Sequence, residues 1–156
     1  MLATLLAGAL LVGCGGSGDT PTANGSDRPI ASEKLRGKLT SVEPSEVAIG
    51  DELVVNGTDW LVGPAVTHYL LKEEGFRDYK FMQIEEEGFE IGSEAASADG
   101  AISFRFELQA SYESASGQSF AIAPGATFYV AAVQRADSNG HAAGRGPIIV
   151  VGRGDE

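Results

Sequence analysis

The sequence has few of the residues that cross-link a chain or carry out catalysis: one cysteine, Cys14, and two histidines, His68 and His141. A single thiol cannot close an internal disulfide, so the folded part must be stable through its hydrophobic core alone. Two histidines and one cysteine are too few for a zinc site, and no serine lies in a Gly-x-Ser-x-Gly elbow. We therefore expect no cofactor, no metal and no catalytic residue, and we predict that the protein is not an enzyme.

Basic residues are also few. The chain has 11 Lys and Arg against 22 Asp and Glu, a net charge of −11, and residues 73–99 carry −7 of that total. A surface of this charge repels nucleic acid and anionic lipid headgroups. We expect no nucleic-acid partner, and we interpret Glu85-Glu86-Glu87 as the solvated end of a strand rather than as a cation-binding edge.

One apolar run, Leu2 to Val12, is too short to cross a bilayer, which takes about 20 residues. Its length suits the apolar region of a secretory signal. The run ends in Leu11-Val12-Gly13-Cys14, which resembles the lipobox of bacterial lipoproteins. The resemblance implies diacylglyceryl transfer to the Cys14 thiol, cleavage after Gly13 and acylation of the new amino group, as with palmitate. Two or more acyl chains hold a protein stably on a membrane.

The alternatives to this resemblance are an ordinary secretory signal and a frayed apolar terminus, in both of which Cys14 has no role. No Lys or Arg precedes the run, so either the true start lies upstream of Met1 or the signal is weak. A lipid on Cys14 implies a protein anchored in the bacterial cell envelope. Gly15 stands where an Asp would retain a lipoprotein in the inner membrane, so the outer membrane is expected if the source has two membranes.

Composition then divides the chain into three segments. Residues 1–13 are the expected signal peptide, residues 14–37 a lipidated, disordered and flexible linker, and residues 38–156 one domain. The linker is rich in glycine and has no aromatic residue between Gly15 and Gly37, so it cannot bury enough apolar surface to offset the entropy of ordering.

The domain shows short apolar stretches separated by turn residues, which predicts an all-β fold. The uniformly apolar 127–134 is typical of a central strand, and 89–95 of a short edge strand. Ile102, Phe104, Phe106 and Leu108 alternate with polar residues, which predicts one buried and one wet face. The expected strands are 38–42, 52–56, 65–72, 79–85, 89–95, 101–109, 127–134 and 147–151.

Two segments resemble immunoglobulin-like domains of the bacterial IPT/TIG type. The first runs from Val42-Glu43-Pro44 through Gly50-Asp51 to Trp60, and the second comprises 124–130 with the turn Asp137-Ser138-Asn139-Gly140. The resemblance implies an immunoglobulin-like antiparallel β-sandwich of seven or eight strands. Residues 73–98 do not match, which leaves the strand order there open, and transthyretin-like and jelly-roll sandwiches remain alternatives.

These expectations indicate a class of function but do not identify the partner or ligand. The leading hypothesis is a non-catalytic, membrane-anchored lipoprotein whose β-sandwich binds or scaffolds an envelope protein partner. The alternative is a module for a small ligand, either carbohydrate or calcium, that uses Trp60, Asp59 and Tyr69, with Asp51 or Asp137 as further calcium ligands. Trp60 is more plausible as a core residue than as an exposed ring on which a sugar stacks. His68 is more plausible as a strand residue that faces water or a hydrogen-bonding neighbour than as a catalytic base.

Overall fold

The structure, a computed structural model, describes residues 35–72 and 80–153. It is an all-β fold with one short helix, α1 (Phe81–Glu87), as the strand patterns predict. Ten strands are present in these ranges rather than seven or eight, because three of them have only two or three residues, which is too few for a periodic signal. The strands are β1 (Lys38–Glu43), β2 (Glu46–Val47), β3 (Glu52–Thr58), β4 (Ala65–Leu71), β5 (Phe89–Ala95), β6 (Ile102–Glu107), β7 (Ser111–Glu113), β8 (Ser119–Ala121), β9 (Thr127–Ala136) and β10 (Asn139–Val150).

The strands form two larger sheets and a separate hairpin. One sheet has the order β1-β3-β6, the other has the order β2-β10-β9-β4-β5, and β7 pairs with β8. All pairings are antiparallel except that of β2 with β10. The strand β9 lies at the centre of the larger sheet and β5 at its edge, which confirms both predictions.

Alternate residues of both larger sheets form one hydrophobic core. Leu53 and Val55 of β3 and Val66 and Leu70 of β4 are fully buried in the same cluster. Because side chains alternate across a strand, Thr67, Tyr69 and Leu71 of β4 lie on the opposite face of its sheet. Tyr69 belongs there to a second buried cluster with α1.

The prediction of a strand over residues 79–85 is wrong, because residues 81–87 form α1. Phe81 and Ile84 are one helical turn apart and both pack on the outer face of the larger sheet, where Ile84 is 1% exposed. The Lys80 N–H donates to the Gln83 side chain and so caps the helix start, and the Glu85 carboxylate pairs with Arg135 of β9. The spacing of the apolar residues fits the period of a strand as well as that of a helix. The helix forms because it covers the apolar outer face of the larger sheet.

The last strand begins earlier than predicted, at Asn139 rather than at Pro147. Ala136 pairs with Asn139 across a two-residue turn at Asp137 and Ser138, where Asp137 has φ 54°. A register shift between Arg145 and Ile148 interrupts the pairing. Small residues before this shift obscured the strand pattern in the sequence.

Candidate functional site

The two larger sheets have edge strands, β5 and β6, that border one groove of about 410 Å³. The groove is lined by Glu90 and Ile91 of β5, by residues 104–107 of β6, and by Gln109 and Tyr112. Among the described strands, β5 pairs with β4 alone and β6 with β3 alone. The groove therefore combines apolar side chains with strand edges, which carry backbone groups available for pairing.

The hydrogen bonds of β6 show which of its backbone groups point away from β3. Leu108 exchanges two backbone hydrogen bonds with the Gly50-Asp51 turn, of 2.8 and 2.9 Å. In an antiparallel pair the residues bonded to the partner strand recur at every second position. Ser103, Arg105 and Glu107 therefore direct their backbone N–H and C=O groups outward, away from β3.

Side chains occupy both ends of this outward edge. At one end the Glu94 carboxylate accepts a hydrogen bond from the Ser103 N–H. At the other end the Tyr112 hydroxyl accepts from the Gln109 N–H at 2.8 Å and donates to the Glu107 carbonyl at 3.5 Å. Between them lie the N–H and C=O of Arg105, which the same alternation along β6 directs outward, away from β3.

A β-bulge directs Glu94 into the protein. His68 pairs with Gly92 but Tyr69 pairs with Glu90, so Ile91 is the extra residue on β5. Before the bulge Phe89 is the inward residue, and beyond it the inward positions are Gly92 and Glu94, opposite the core residues of β4. Bulges re-aim side chains in this way at sheet edges.

Gly92 is required at this position of β5 for two reasons. Its φ is +143°, a backbone conformation that favours glycine, and a Cβ there would lie 2.8 Å from Cζ of Phe104. The absence of a side chain lets the Phe104 ring of β6 pack directly against β5. This contact holds β6, on one side of the groove, against β5 on the other side.

His68 lies beneath the groove and is fully buried. Its ring stacks on Phe104 with centroids 4.2 Å apart and an interplanar angle of 6°. Nε2 lies 3.4 Å from Oε1 of Glu94, yet neither ring nitrogen has a hydrogen-bond partner among the described residues. The interpretation of His68 as facing water or a hydrogen-bonding neighbour is wrong, because it occupies an inward position of β4 between Val66 and Leu70.

Burial shifts the titration of both side chains of this pair toward the neutral form. Desolvation lowers the pKa of His68 to about 4. Desolvation also raises the pKa of Glu94, and the hydrogen bond from Ser103 opposes this rise. At neutral pH the imidazole is uncharged and cannot neutralise the carboxylate.

The groove is acidic. The guanidinium of Arg105 is held by Glu52 at 2.7 Å, whereas Glu90 and Glu107 form no ion pair with any residue that the structure describes. The Glu90 charge also contributes to raising the pKa of Tyr69 to about 12, after burial as the main cause. A ligand that fits the groove must therefore tolerate or match negative charge.

The structure places Trp60 in the core rather than on the surface, with 3% of the residue exposed. A Cβ at Gly37 would lie 2.2 Å from the indole, and one at Gly57 would lie 2.7 Å from its Nε1. The His141 ring lies 6.0 Å away and its Nε2 is 2.7 Å from the Gly37 carbonyl oxygen. In this setting the indole has no free face on which a sugar ring could stack.

The three residues proposed for a small-ligand site do not converge. Asp59 is exposed and its carboxylate lies 3.4 Å from Lys38 Nζ. Tyr69 lies in the cluster beneath α1, on the opposite face of the larger sheet from the core that contains Trp60. Asp51 is also engaged, since it accepts a hydrogen bond from Ala48 N–H at 3.0 Å and pairs with Arg153.

Cys14, the predicted lipidation site, lies outside the described residues. Within residues 35–72 and 80–153, no helix has the length and apolar character needed to cross a bilayer. In the same ranges, no three side chains of the types His, Cys, Asp and Glu come together as metal ligands would.

Sequence reasoning missed the groove because its residues carry ordinary core patterns. Phe104 and Phe106 alternate as buried strand residues do, but the structure leaves both only partly buried. The signal in the sequence was the predicted edge strand 89–95, which has Gly92 in its interior. In comparisons with known proteins, the chain matches no family model and no curated protein sequence.

Proposed function

We propose that this protein is a non-catalytic lipoprotein of the bacterial cell envelope, and that its domain binds a partner protein through the groove between β5 and β6. The observation that carries the proposal is the groove itself, in which apolar side chains lie beside the outward-facing backbone of Arg105 on the edge strand β6. Exposed sheet edges of this kind are bound by extended polypeptide segments.

The anchor is supported by Leu11-Val12-Gly13-Cys14 at the end of an apolar run. Residues 15–34 separate Cys14 from the first described residue, Leu35. A lipid on Cys14, carrying two or more acyl chains, would confine the domain to a thin layer at the membrane. Confinement raises the effective concentration of the groove for a partner in the same layer.

An immunoglobulin-like sandwich is supported by the strand order. If β1, β3 and β6 are strands A, B and E, and β4, β9 and β10 are strands C, F and G, one sheet is A-B-E and the other contains G-F-C. That is the sheet membership of immunoglobulin-like domains, apart from strand D. β5 then extends the second sheet beyond strand C, and so borders the groove.

A binding role rather than catalysis is supported by the positions of the two histidines. His68 is buried without a hydrogen-bond partner in the described structure, and His141 is engaged with the Gly37 carbonyl. General acid–base catalysis requires a side chain that reaches the substrate. Neither imidazole is among the groove-lining residues.

The anchor is tested by fractionation of cells that express Cys14→Ser. We expect the variant to resist processing and to be depleted from the membrane fraction, whereas globomycin-treated cells should keep the unprocessed, lipidated protein in the membrane. Ser17→Ala, three residues beyond the lipobox, is the control and should stay membrane-bound. If Cys14→Ser were processed and fractionated like the wild type, the lipoprotein assignment would be wrong.

The groove is tested with a photo-crosslinking residue at Gln109 in living cells. We expect a discrete protein adduct in the envelope fraction, and none from the same residue at Gln118, which is exposed in the β7–β8 turn. Cys14→Ser should weaken the Gln109 adduct because the domain loses its confinement. Equal adducts from both positions would show that the groove has no special role.

A further inference from the structure

We infer that the occupant of the groove is an extended polypeptide segment that adds to β6 opposite Arg105 and carries Lys or Arg beside small apolar residues. This inference rests on the proposed function, because it names the chemistry of the partner for the same groove. Three features of the groove select this occupant: the backbone at its centre, the side chains around it, and its charge.

The backbone of β6 offers a short, bounded edge. Glu94 and Tyr112 occupy its two ends, which leaves the N–H and C=O of Arg105 to exchange a pair of hydrogen bonds with one residue of an added strand. The segment recognised is therefore short, since about five residues span the edge from Ser103 to Glu107 in an antiparallel pair.

The side chains on the two faces of that strand have different surroundings. The residue opposite Arg105 shares the outer face with Arg105 and Glu107, whereas its two neighbours point inward, toward Ile91 and Phe106. Inward positions therefore favour small apolar side chains, and outward positions next to Glu107 favour a cation.

Charge favours the same segment. Glu90 and Glu107 line the groove without an ion pair in the described structure, and the guanidinium of Arg105 is already paired with Glu52. Opposite charges placed directly across two strands stabilise the pair, and like charges destabilise it. An acidic segment would meet two unneutralised carboxylates.

A sugar is a poorer fit to this groove. One face of the Phe104 ring is covered by His68 at 4.2 Å, and the Tyr112 hydroxyl is already bonded to Gln109 and Glu107. Sugar recognition requires an open aromatic face together with unengaged polar groups. Oligosaccharide binding is therefore an outcome against this inference.

The first experiment uses the pentapeptide Lys-Val-Thr-Val-Lys, blocked at both ends, whose pattern is the same in either strand direction. Binding to the full-length protein in detergent is followed through the amide signal of Ile91, which the wild type and both variants retain. Arg105→Ala keeps the backbone N–H and loses the guanidinium, whereas Arg105→Pro also loses the N–H, and proline is tolerated on a strand edge. We expect Arg105→Pro to bind about tenfold more weakly than Arg105→Ala, as loss of one hydrogen bond predicts.

A second measurement leaves the protein unchanged. The same peptide with an N-methyl group on its threonine cannot donate to the Arg105 carbonyl, so we expect a similar loss of about tenfold. Equal affinity of the methylated and unmethylated peptides would overturn strand addition, even if Arg105→Pro failed to fold.

The charge is tested by Glu90→Lys and Glu107→Lys, with Glu113→Lys as the matched control on β7, outside the groove lining. We expect the two groove variants to lose binding of the Lys peptide and to gain binding of Glu-Val-Thr-Val-Glu, and the control to change neither. The inference would be contradicted if the wild type bound the Glu peptide more tightly than the Lys peptide. It would also be contradicted if maltopentaose or chitopentaose, rather than the Lys peptide, shifted the amide signal of Ile91. If neither peptide bound the protein while the Gln109 adduct formed in cells, this inference would be wrong and the proposed function would stand. If no adduct formed from Gln109 in cells, the proposed function itself would be wrong.

Discussion

His68 and Glu94 meet inside the protein without forming a hydrogen bond: Nε2 of the imidazole lies 3.4 Å from Oε1 of the carboxylate, and neither atom has a partner in the described structure. Their two strands pair through the β4–β5 ladder, and the β5 bulge brings the carboxylate inward. Unpartnered buried polar atoms lower the free energy of unfolding. They also make that free energy depend on pH, in opposite directions for the two groups.

For His68, the sign follows from a pKa near 4 in the folded protein and about 6.5 when unfolded. As the pH falls from 6.5 to 4, the unfolded chain binds a proton that the folded protein does not, so stability falls by up to about 3 kcal/mol. His68→Phe keeps the ring stack and removes this loss. Urea unfolding between pH 7 and 4 should show the variant gaining stability relative to the wild type as the pH falls.

His141→Gln is the control for this experiment, and it should retain the acid-dependent loss because His68 is intact. Glu94 acts in the other direction: its pKa is raised in the folded protein, so its protonation on acidification favours the folded state. Glu94→Gln should therefore make the loss below pH 6.5 steeper. Parallel profiles for His68→Phe and the wild type would contradict the assignment.

Gly92→Ala should destabilise the domain through two separate effects. The residue has φ +143°, and the new Cβ would lie 2.8 Å from the Phe104 ring, so strain and overpacking together should cost about 2–4 kcal/mol in urea unfolding. Gly63→Ala isolates the first effect, because Gly63 has φ +112° with open space around it. Similar losses for both variants would mean that the Phe104 contact contributes nothing.

The sequence predicted the strands whose residues alternate strongly, and it predicted the central place of β9 and the edge place of β5, but it did not predict which edges face each other. The segment 89–95 was expected as an edge strand and β5 spans those residues. The position of β5 and β6 as facing edges follows from the pairing of β5 with β4 and of β6 with β3, which no local pattern encodes. Phe104 and Phe106 therefore looked like core residues, although they line a groove.

Helix α1 shows a second limit of local patterns. Phe81, Met82 and Ile84 fit an alternating strand almost as well as a helical turn, and only the sheet face that needs covering decides between them. Met82 consequently lies in solvent, with 62% exposed. His68 shows a third limit: a lone polar residue in an apolar strand gives no sign of whether it points inward or outward.

Gly37→Ala tests how closely the core surrounds the single tryptophan. A Cβ at Gly37 would lie 2.2 Å from the Trp60 ring, and the buried ring has no room to retreat. We expect a loss of about 1–3 kcal/mol in unfolding free energy and a red-shifted tryptophan emission as the indole meets water. Gly152→Ala, where the nearest side-chain atom is 3.9 Å away, should change neither, and an unshifted emission in Gly37→Ala would contradict the packing.

Gln134 supports the connection between β3 and β4 with a buried amide that is 1% exposed. Its Oε1 accepts from the Leu61 N–H at 3.0 Å, and its Nε2 donates to the carbonyls of Leu61 and Pro64 at 2.8 and 2.9 Å. Gln134→Met keeps the length of the side chain but leaves three backbone groups unpartnered. We expect it to lower the free energy of unfolding by about 2–4 kcal/mol.

Gln134→Glu separates the acceptor from the donors of the same amide. The carboxylate can still accept from the Leu61 N–H, but when ionised it faces two carbonyl oxygens and cannot donate to either. The introduced carboxyl should therefore have a raised pKa in the folded protein, and its protonation should restore stability as the pH falls. Urea unfolding at each pH should show that Gln134→Glu has a lower free energy of unfolding than the wild type, by an amount that is large at pH 7 and shrinks toward pH 4. For Gln134→Met the difference from the wild type should stay constant with pH. A pH-independent difference for Gln134→Glu would show that the two carbonyls do not depend on this donor.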